Sequence, residues 1–177
     1  MKDVMLDLET WGTGPHAVII SIGAVKFDLT TKPADWPRFL VNIDPASAVT
    51  KGQQMDVDTL LWWMHADRTH AREAFLAAEK VDLEDALDGF SMWLGSHDFK
   101  VWGNGASFDN VLLNTAYKLC GLVAPWKLWN DRCYRTIKNI APQVLLTRVG
   151  TYHNALDDAV SQAEHMTRIY RAMDLRL

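Results

Sequence analysis

Two carboxylates spaced i, i+2 close an apolar run near the N-terminus, Asp3-Val4-Met5-Leu6-Asp7-Leu8-Glu9-Thr10. Side chains alternate across a β-strand, so a strand here puts Asp7 and Glu9 on one face, with Met5 below them and Val4, Leu6 and Leu8 on the other. Such a strand is buried on both faces except at the end that carries the acids. Neighbouring carboxylates repel, and taking them out of water without compensation is costly. A divalent cation with a preference for oxygen ligands would offset both effects. A hairpin whose last residues are merely solvated also fits, because a motif as short as D-x-E recurs by accident.

Two further acids lie where helices begin. In Gly103-Asn104-Gly105-Ala106-Ser107-Phe108-Asp109, an acid stands just inside a helix N-terminus directly after a strand. Capping and the helix dipole favour Asp at that position without any ligand. In Tyr152-His153-Asn154-Ala155-Leu156-Asp157-Asp158, a histidine ahead of a helix is followed by an acid in the first turn, so both can face a common point. Asp157 and Asp158 compete for that role. His153 belongs to the one residue type whose ordinary pKa lies close to neutrality, which makes it a candidate proton acceptor. His65, His70 and His97 read as surface residues.

The elements that must position these groups follow from hydrophobic period. After a turn-rich stretch over 10–15, residues 17–28 and 38–43 read as the second and third strands, and the short connections imply an antiparallel meander. From Asp56 the period becomes helical, with Val57, Leu60, Leu61 and Met64 on one face and Asp56 or Asp58 as cap. Further helices are predicted over 69–78, 82–94, 108–119, 133–140 and 155–173, and a short strand over 99–102. Strands first in a meander and then alternating with helices predict a mixed sheet covered on both faces, with sites at the carboxyl ends of strands. No linker or repeat divides the chain, so 177 residues with 49% apolar content read as one domain over 1–177.

No apolar stretch approaches the roughly 20 residues needed to span a bilayer. Acids at Asp3 and Asp7 stand where a secretory signal would be basic and then greasy, so a cytoplasmic location is expected. Cys120 and Cys133 lack zinc or redox spacing and are expected as reduced thiols. A formal net charge of −4 argues against a uniformly basic nucleic-acid surface. Between Trp126 and Gly150, however, Lys127, Arg132, Arg135, Lys138 and Arg148 stand against Asp131 alone. That segment is either a solvated helix face or a phosphate-facing patch. Among eight tryptophans, Trp93 and Trp102 read as core. Trp62 and Trp63 diverge by about 100° on a helix and cannot both face inward, so one is free for substrate or a second subunit.

Asp7-Leu8-Glu9-Thr10, Asn104-Gly105-Ala106-Ser107-Phe108-Asp109 and His153-Asn154-Ala155-Leu156-Asp157-Asp158 resemble, in order and spacing, the three motifs of the 3′-5′ exonuclease superfamily of the Asp-Glu-Asp-Asp type, in its His-containing branch. The resemblance implies an RNase H-like α/β fold: a mixed five-stranded sheet, with a three-strand antiparallel meander plus parallel strands and helices on both faces. It implies metal ligands at Asp7, Glu9, Asp109 and Asp158, with Asp158 favoured over Asp157, and His153 as general base. Two Mg²⁺ or Mn²⁺ ions would neutralise the four carboxylates and stabilise both reacting oxygens of an in-line displacement. The implied substrate is the 3′ end of single-stranded RNA or DNA or a short 3′ overhang, with 5′-mononucleotides as products. Thr10, Trp11 and Phe108 would lie near the terminal sugar and base, and the implied partner is a second copy in a homodimer. Ser21-Ile22-Gly23-Ala24-Val25-Lys26-Phe27-Asp28, the Trp62-Trp63 pair and Ala71-Arg72-Glu73-Ala74-Phe75 look like the branch holding the adenylate-preferring ribonuclease AS and phage or prophage exonucleases. The chain departs from that branch at His65-Ala66-Asp67, where Gln-Ser usually follows the tryptophans. A silent binding module of the same fold would be expected to have lost one of the five polar positions, and none is missing. An endonuclease or small-phosphodiester hydrolase with the same chemistry would differ in its product pattern.

Overall fold

The computed structural model describes residues 1–95 and 98–175, so His97 lies outside the described residues. The first strand forms as Asp3–Thr10 (β1) at the centre of a five-stranded sheet of order β3-β2-β1-β4-β5. It pairs antiparallel with Ile19–Phe27 (β2) and parallel with Lys100–Gly103 (β4). Arg38–Asn42 (β3) extends the meander from β2, and Asp131–Cys133 (β5) runs parallel to β4. The mixed sheet therefore forms as expected, although its fifth strand was not placed by pattern: three half-buried residues are too few to show alternation.

Seven α-helices occur among the described residues. Pro45–Thr50 (α1) was not anticipated; Asp44 caps it by accepting from the Ala46 N–H, and Pro45 opens it. Val57–Trp63 (α2) is capped by Asp56, and Thr69–Ala77 (α3), Leu83–Leu94 (α4), Asp109–Leu119 (α5), Tyr134–Ile140 (α6) and Ala155–Ala172 (α7) lie close to their predicted spans. None is long and apolar enough to cross a membrane.

The alternation along β1 separates two cores. Val4, Leu6 and Leu8 pack with Leu83, Leu87 and Phe90 of α4 and Leu112 and Leu113 of α5. Met5, on the acids' face, packs with Trp102, Tyr134 and Ala159, Val160, Ala163 and Met166 of α7. Helices thus cover both faces of the sheet, and the Asp7/Glu9 face is the one that α7 crosses. The tryptophans divide accordingly. Trp102 is buried with its indole N–H on Asp3 at 2.8 Å, and Trp93 is half-buried against Phe39 and Phe90. Trp63 is 5% exposed and Trp62 40% exposed, which resolves which of the pair turns inward. His65 and His70 are exposed, and both cysteines are half-buried free thiols.

Two sheet glycines bring helix starts onto the strands. A Cβ on Gly23 of β2 would lie 2.1 Å from the Ala155 carbonyl carbon in the first turn of α7. A Cβ on Gly103, the last residue of β4, would lie 2.4 Å from Asn110 Oδ1 and 3.0 Å from Asp109 Cβ at the start of α5. Absent side chains therefore set how near the second and third acidic motifs approach the first.

Candidate active site

Three stretches converge at the carboxyl end of β1. Leu6 pairs with Gly103, so Asp7 and Glu9 extend beyond the end of β4. The pairing with β2 also shifts register between Glu9 and Thr10, a local irregularity of the kind that re-aims a side chain at a strand end. The Leu8 N–H is taken instead by Asp109 Oδ1, at 3.2 Å. From the covering helix, Asp158 accepts the His153 N–H at 3.0 Å, and Gln162, one turn further on, donates to Asp7 Oδ1 at 2.7 Å. Glu9, His153 and Asp158 offer ligand atoms that all lie within 4.8 Å of one another, close enough to share one divalent metal ion.

The acids are held in a state that calls for a cation. Burial, then the charges of Asp109, Glu9 and Asp158, raises the Asp7 carboxyl well above its ordinary range, against a lowering hydrogen bond from Gln162. Burial with Asp158 and Asp109 pushes Glu9 up to about 8, and burial lifts Asp109 to about 7 despite the Leu8 N–H. Asp158 is raised by burial and drawn back by Arg148. Asp109 Oδ2 is buried with no hydrogen-bond partner among the described residues. A divalent ion supplies what this set lacks: positive charge and an acceptor for the idle oxygen's lone pairs.

The sign of the linkage gives a test without substrate. A carboxyl whose pKa is higher folded than unfolded favours folding below the unfolded value and loses that contribution as pH rises through the folded one. For Glu9 the window runs from 4.5 to about 8, and for Asp109 from 3.8 to about 7. In EDTA, Tm is expected to fall as pH rises across that range. Mn²⁺ at about a hundred times its Kd adds about 2.7 kcal/mol, a rise of about 5–10 °C for a chain of this size. A flat apo profile with no Mn²⁺ response would show that the acids are not electrostatically frustrated.

His153 sits in a column of rings. Tyr152 stacks on it with centroids 3.7 Å apart, and Trp62 meets it at 84° and 4.9 Å. Guanidinium groups cap the column, Arg148 3.8 Å over Tyr152 and Arg68 3.7 Å over Trp62. Burial and both arginines hold the imidazole below its ordinary pKa, which favours the neutral, proton-accepting form. The residue's φ of 64° is left-handed, a strained geometry for a histidine, steadied by its N–H on Asp158 and by the Asn154 cap that begins α7.

Arg148 also pairs with Asp158, and it lines the acidic cleft of about 420 Å³ together with Arg135, Asn104, Phe108 and Gln162. Of the five cations in the basic segment, these two face the site. Arg132 is turned to the Trp129 and Asp131 carbonyls, and Lys127 pairs with Asp98. Asp157 is engaged elsewhere, accepting the Thr151 N–H at 2.7 Å.

Thr10, Phe108, Trp62 and Trp63 line an adjoining cleft of about 460 Å³ that shares Glu9 with the first. Within it the Thr10 hydroxyl donates to the Gly12 carbonyl at 2.8 Å. Trp11 is not brought to the acids. Its ring packs edge-on to Phe75 and lines the apolar groove between α2 and α3 with Ile20, Leu60 and Met64. Gln162 and Tyr152 are site residues that the sequence reading did not single out, whereas Arg135 and Arg148 come from the basic segment it left open between a solvated face and a phosphate-facing patch. The i, i+4 spacing of Gln162 from Asp158 was the available signal.

Known proteins resemble the chain in sequence and in fold. The exodeoxyribonuclease of Enterobacteria phage T4 is 24% identical over 159 residues, 77% of this chain and 70% of the phage protein. The structure of cell-death related nuclease 4 (CRN-4) superposes with a TM-score of 0.62 at 14% identity over 96% of this chain, which spans 64% of that structure's length. The nuclease domain of 3′hExo, a DEDDh family member bound to rAMP, gives a TM-score of 0.59 at 16% identity, covering 96% of this chain and 92% of that one. These structural likenesses establish the RNase H-like fold. At the level of sequence, residues 2–170 match the model of the 3′-5′ exoribonuclease Rv2179c-like domain, and the chain belongs to that family of 3′-5′ exonucleases.

Proposed function

We propose that this exonuclease removes nucleotides singly from the 3′ end of single-stranded RNA or DNA, or of short 3′ overhangs, releasing 5′-mononucleotides. The observation that carries the proposal is the convergence of four acids, all held above their ordinary pKa range, on one cleft beside His153. Asp7, Glu9, Asp109 and Asp158 would hold two Mg²⁺ or Mn²⁺ ions. When bound, such ions stabilise the attacking and leaving oxygens of an in-line displacement at phosphorus. His153, neutral under its burial and the two arginines, accepts the proton of the attacking water. Phe108 and Trp62, the partly exposed rings of the adjoining cleft, offer ring surface to the terminal base, each such stack contributing about 1–3 kcal/mol. Arg135 and Arg148 stand at the rim of the acid cleft, where the phosphate backbone would lie.

The test is one gel of matched 5′-labelled RNA and DNA strands with Mn²⁺ or Mg²⁺ and an EDTA lane. A metal-dependent ladder shortening from the 3′ end is expected, and the faster strand identifies the sugar preference. Internal fragments would instead indicate an endonuclease. Binding without cleavage would indicate a silent module.

A further inference from the structure

We infer that Gln162 is a positioning residue of the metal centre, fixing the rotation of Asp7 so that its carboxylate meets the cations in one orientation. The inference rests on the proposed metal-dependent reading and adds a residue to it. Gln162 lies one helical turn after Asp158, so a single face of α7 carries both toward the end of β1. Its amide donates to Asp7 Oδ1 at 2.7 Å across 155 residues of chain. An ionised carboxylate only accepts, so the amide must present its N–H₂ end and turn its carbonyl away.

The carbonyl end separates this glutamine from a packing strut. Gln162 is 4% exposed, lines the acid cleft, and its Oε1 is buried with no partner among the described residues. A buried acceptor left unpaired is costly, and the large majority of buried side-chain polar atoms find a partner; Asn110 Oδ1 is idle as well, but of the two amides only Gln162 lines the acid cleft. One end of Gln162 serves Asp7, and the other is left for a donor that arrives when the site fills. Groups that orient a metal ligand from behind in this way typically change metal affinity or activity about 10–100-fold when removed.

The readout is Mn²⁺ titration by calorimetry with no substrate present, on wild type, Gln162→Met and Gln162→Glu, with Tm in EDTA measured alongside. Met keeps the length and loses the hydrogen bond; Glu keeps the shape and places an acceptor against Asp7. Both are expected to fold, to weaken Mn²⁺ binding about 10–100-fold, and to raise the Mn²⁺ concentration needed for half-maximal cleavage more than they raise substrate KM. Wild-type Mn²⁺ affinity in either folded variant would overturn the positioning role. So would a loss of Tm with unchanged Mn²⁺ affinity, which would mark Gln162 as structural. If wild type itself takes up no Mn²⁺, the metal-dependent reading fails, an outcome distinct from failure of the glutamine's role.

Discussion

Asp7→Asn is expected to abolish cleavage while leaving the fold intact and, in EDTA near neutral pH, firmer. Asp7 is central to the frustrated set: its carboxyl is raised by burial and by all three other acids. Asn keeps the shape, removes one of four charges, and retains a carbonyl oxygen to accept the Gln162 amide. The cations would then lose one of the two carboxylate ligands on the middle strand, leaving Glu9 there. A Lewis-acid contribution is worth several kcal/mol, so the rate should fall by about 10³–10⁴-fold or more. Tm in EDTA should rise, because relieving carboxylate repulsion removes a cost of folding. Measurable turnover at more than about a tenth of wild type would exclude Asp7 from the metal centre.

His153→Ala should lower turnover by about 10²–10⁴-fold, the range for loss of a general base, with Mn²⁺ affinity retained. The second half of this expectation decides the role, because the imidazole lies within 4.8 Å of the ligand atoms of Glu9 and Asp158 and could itself bind metal. Calorimetry on the variant separates the cases: unchanged Mn²⁺ affinity with lost turnover makes His153 a base, and parallel loss of both makes it a ligand. Full activity from about pH 6 to about pH 9 would remove it from the chemistry. In wild type the imidazole is held below its ordinary 6.5 by burial and the arginines. The acid limb of the rate profile should therefore lie below that value, provided the acids are charge-compensated by metal.

The parts of the molecule legible in the sequence are those with long periods or paired polar residues. β1 declared both its faces by alternation, and α7 showed an apolar stripe over most of its 18 residues. The three acidic motifs could be found because each sits at a strand end or a helix start. α1 and β5 were missed because six and three residues carry too little period, although Asp44-Pro45 was a usable helix-start signal. Gln162 was missed for another reason: its role exists only once α7 lies across the sheet and brings its amide to Asp7. Trp11 shows the opposite limit, since its neighbours in sequence are at the site while its ring packs into a separate groove against Phe75.

The two halves of the third motif are held by unlike means. Asp158 rides on a helix whose first turn is pressed against Gly23 without room for a methyl group, so it cannot withdraw unless α7 leaves the sheet. His153 is held by ring contacts and cation caps of order 0.5–1.5 kcal/mol each, on a backbone already strained at φ 64°. Their opening free energies therefore differ, the first close to that of global unfolding and the second far below it. Under heat or denaturant the base is the first group the site surrenders, and the acid the last. An enzyme partly relaxed in this way would still bind its cations and its strand, but would turn over slowly.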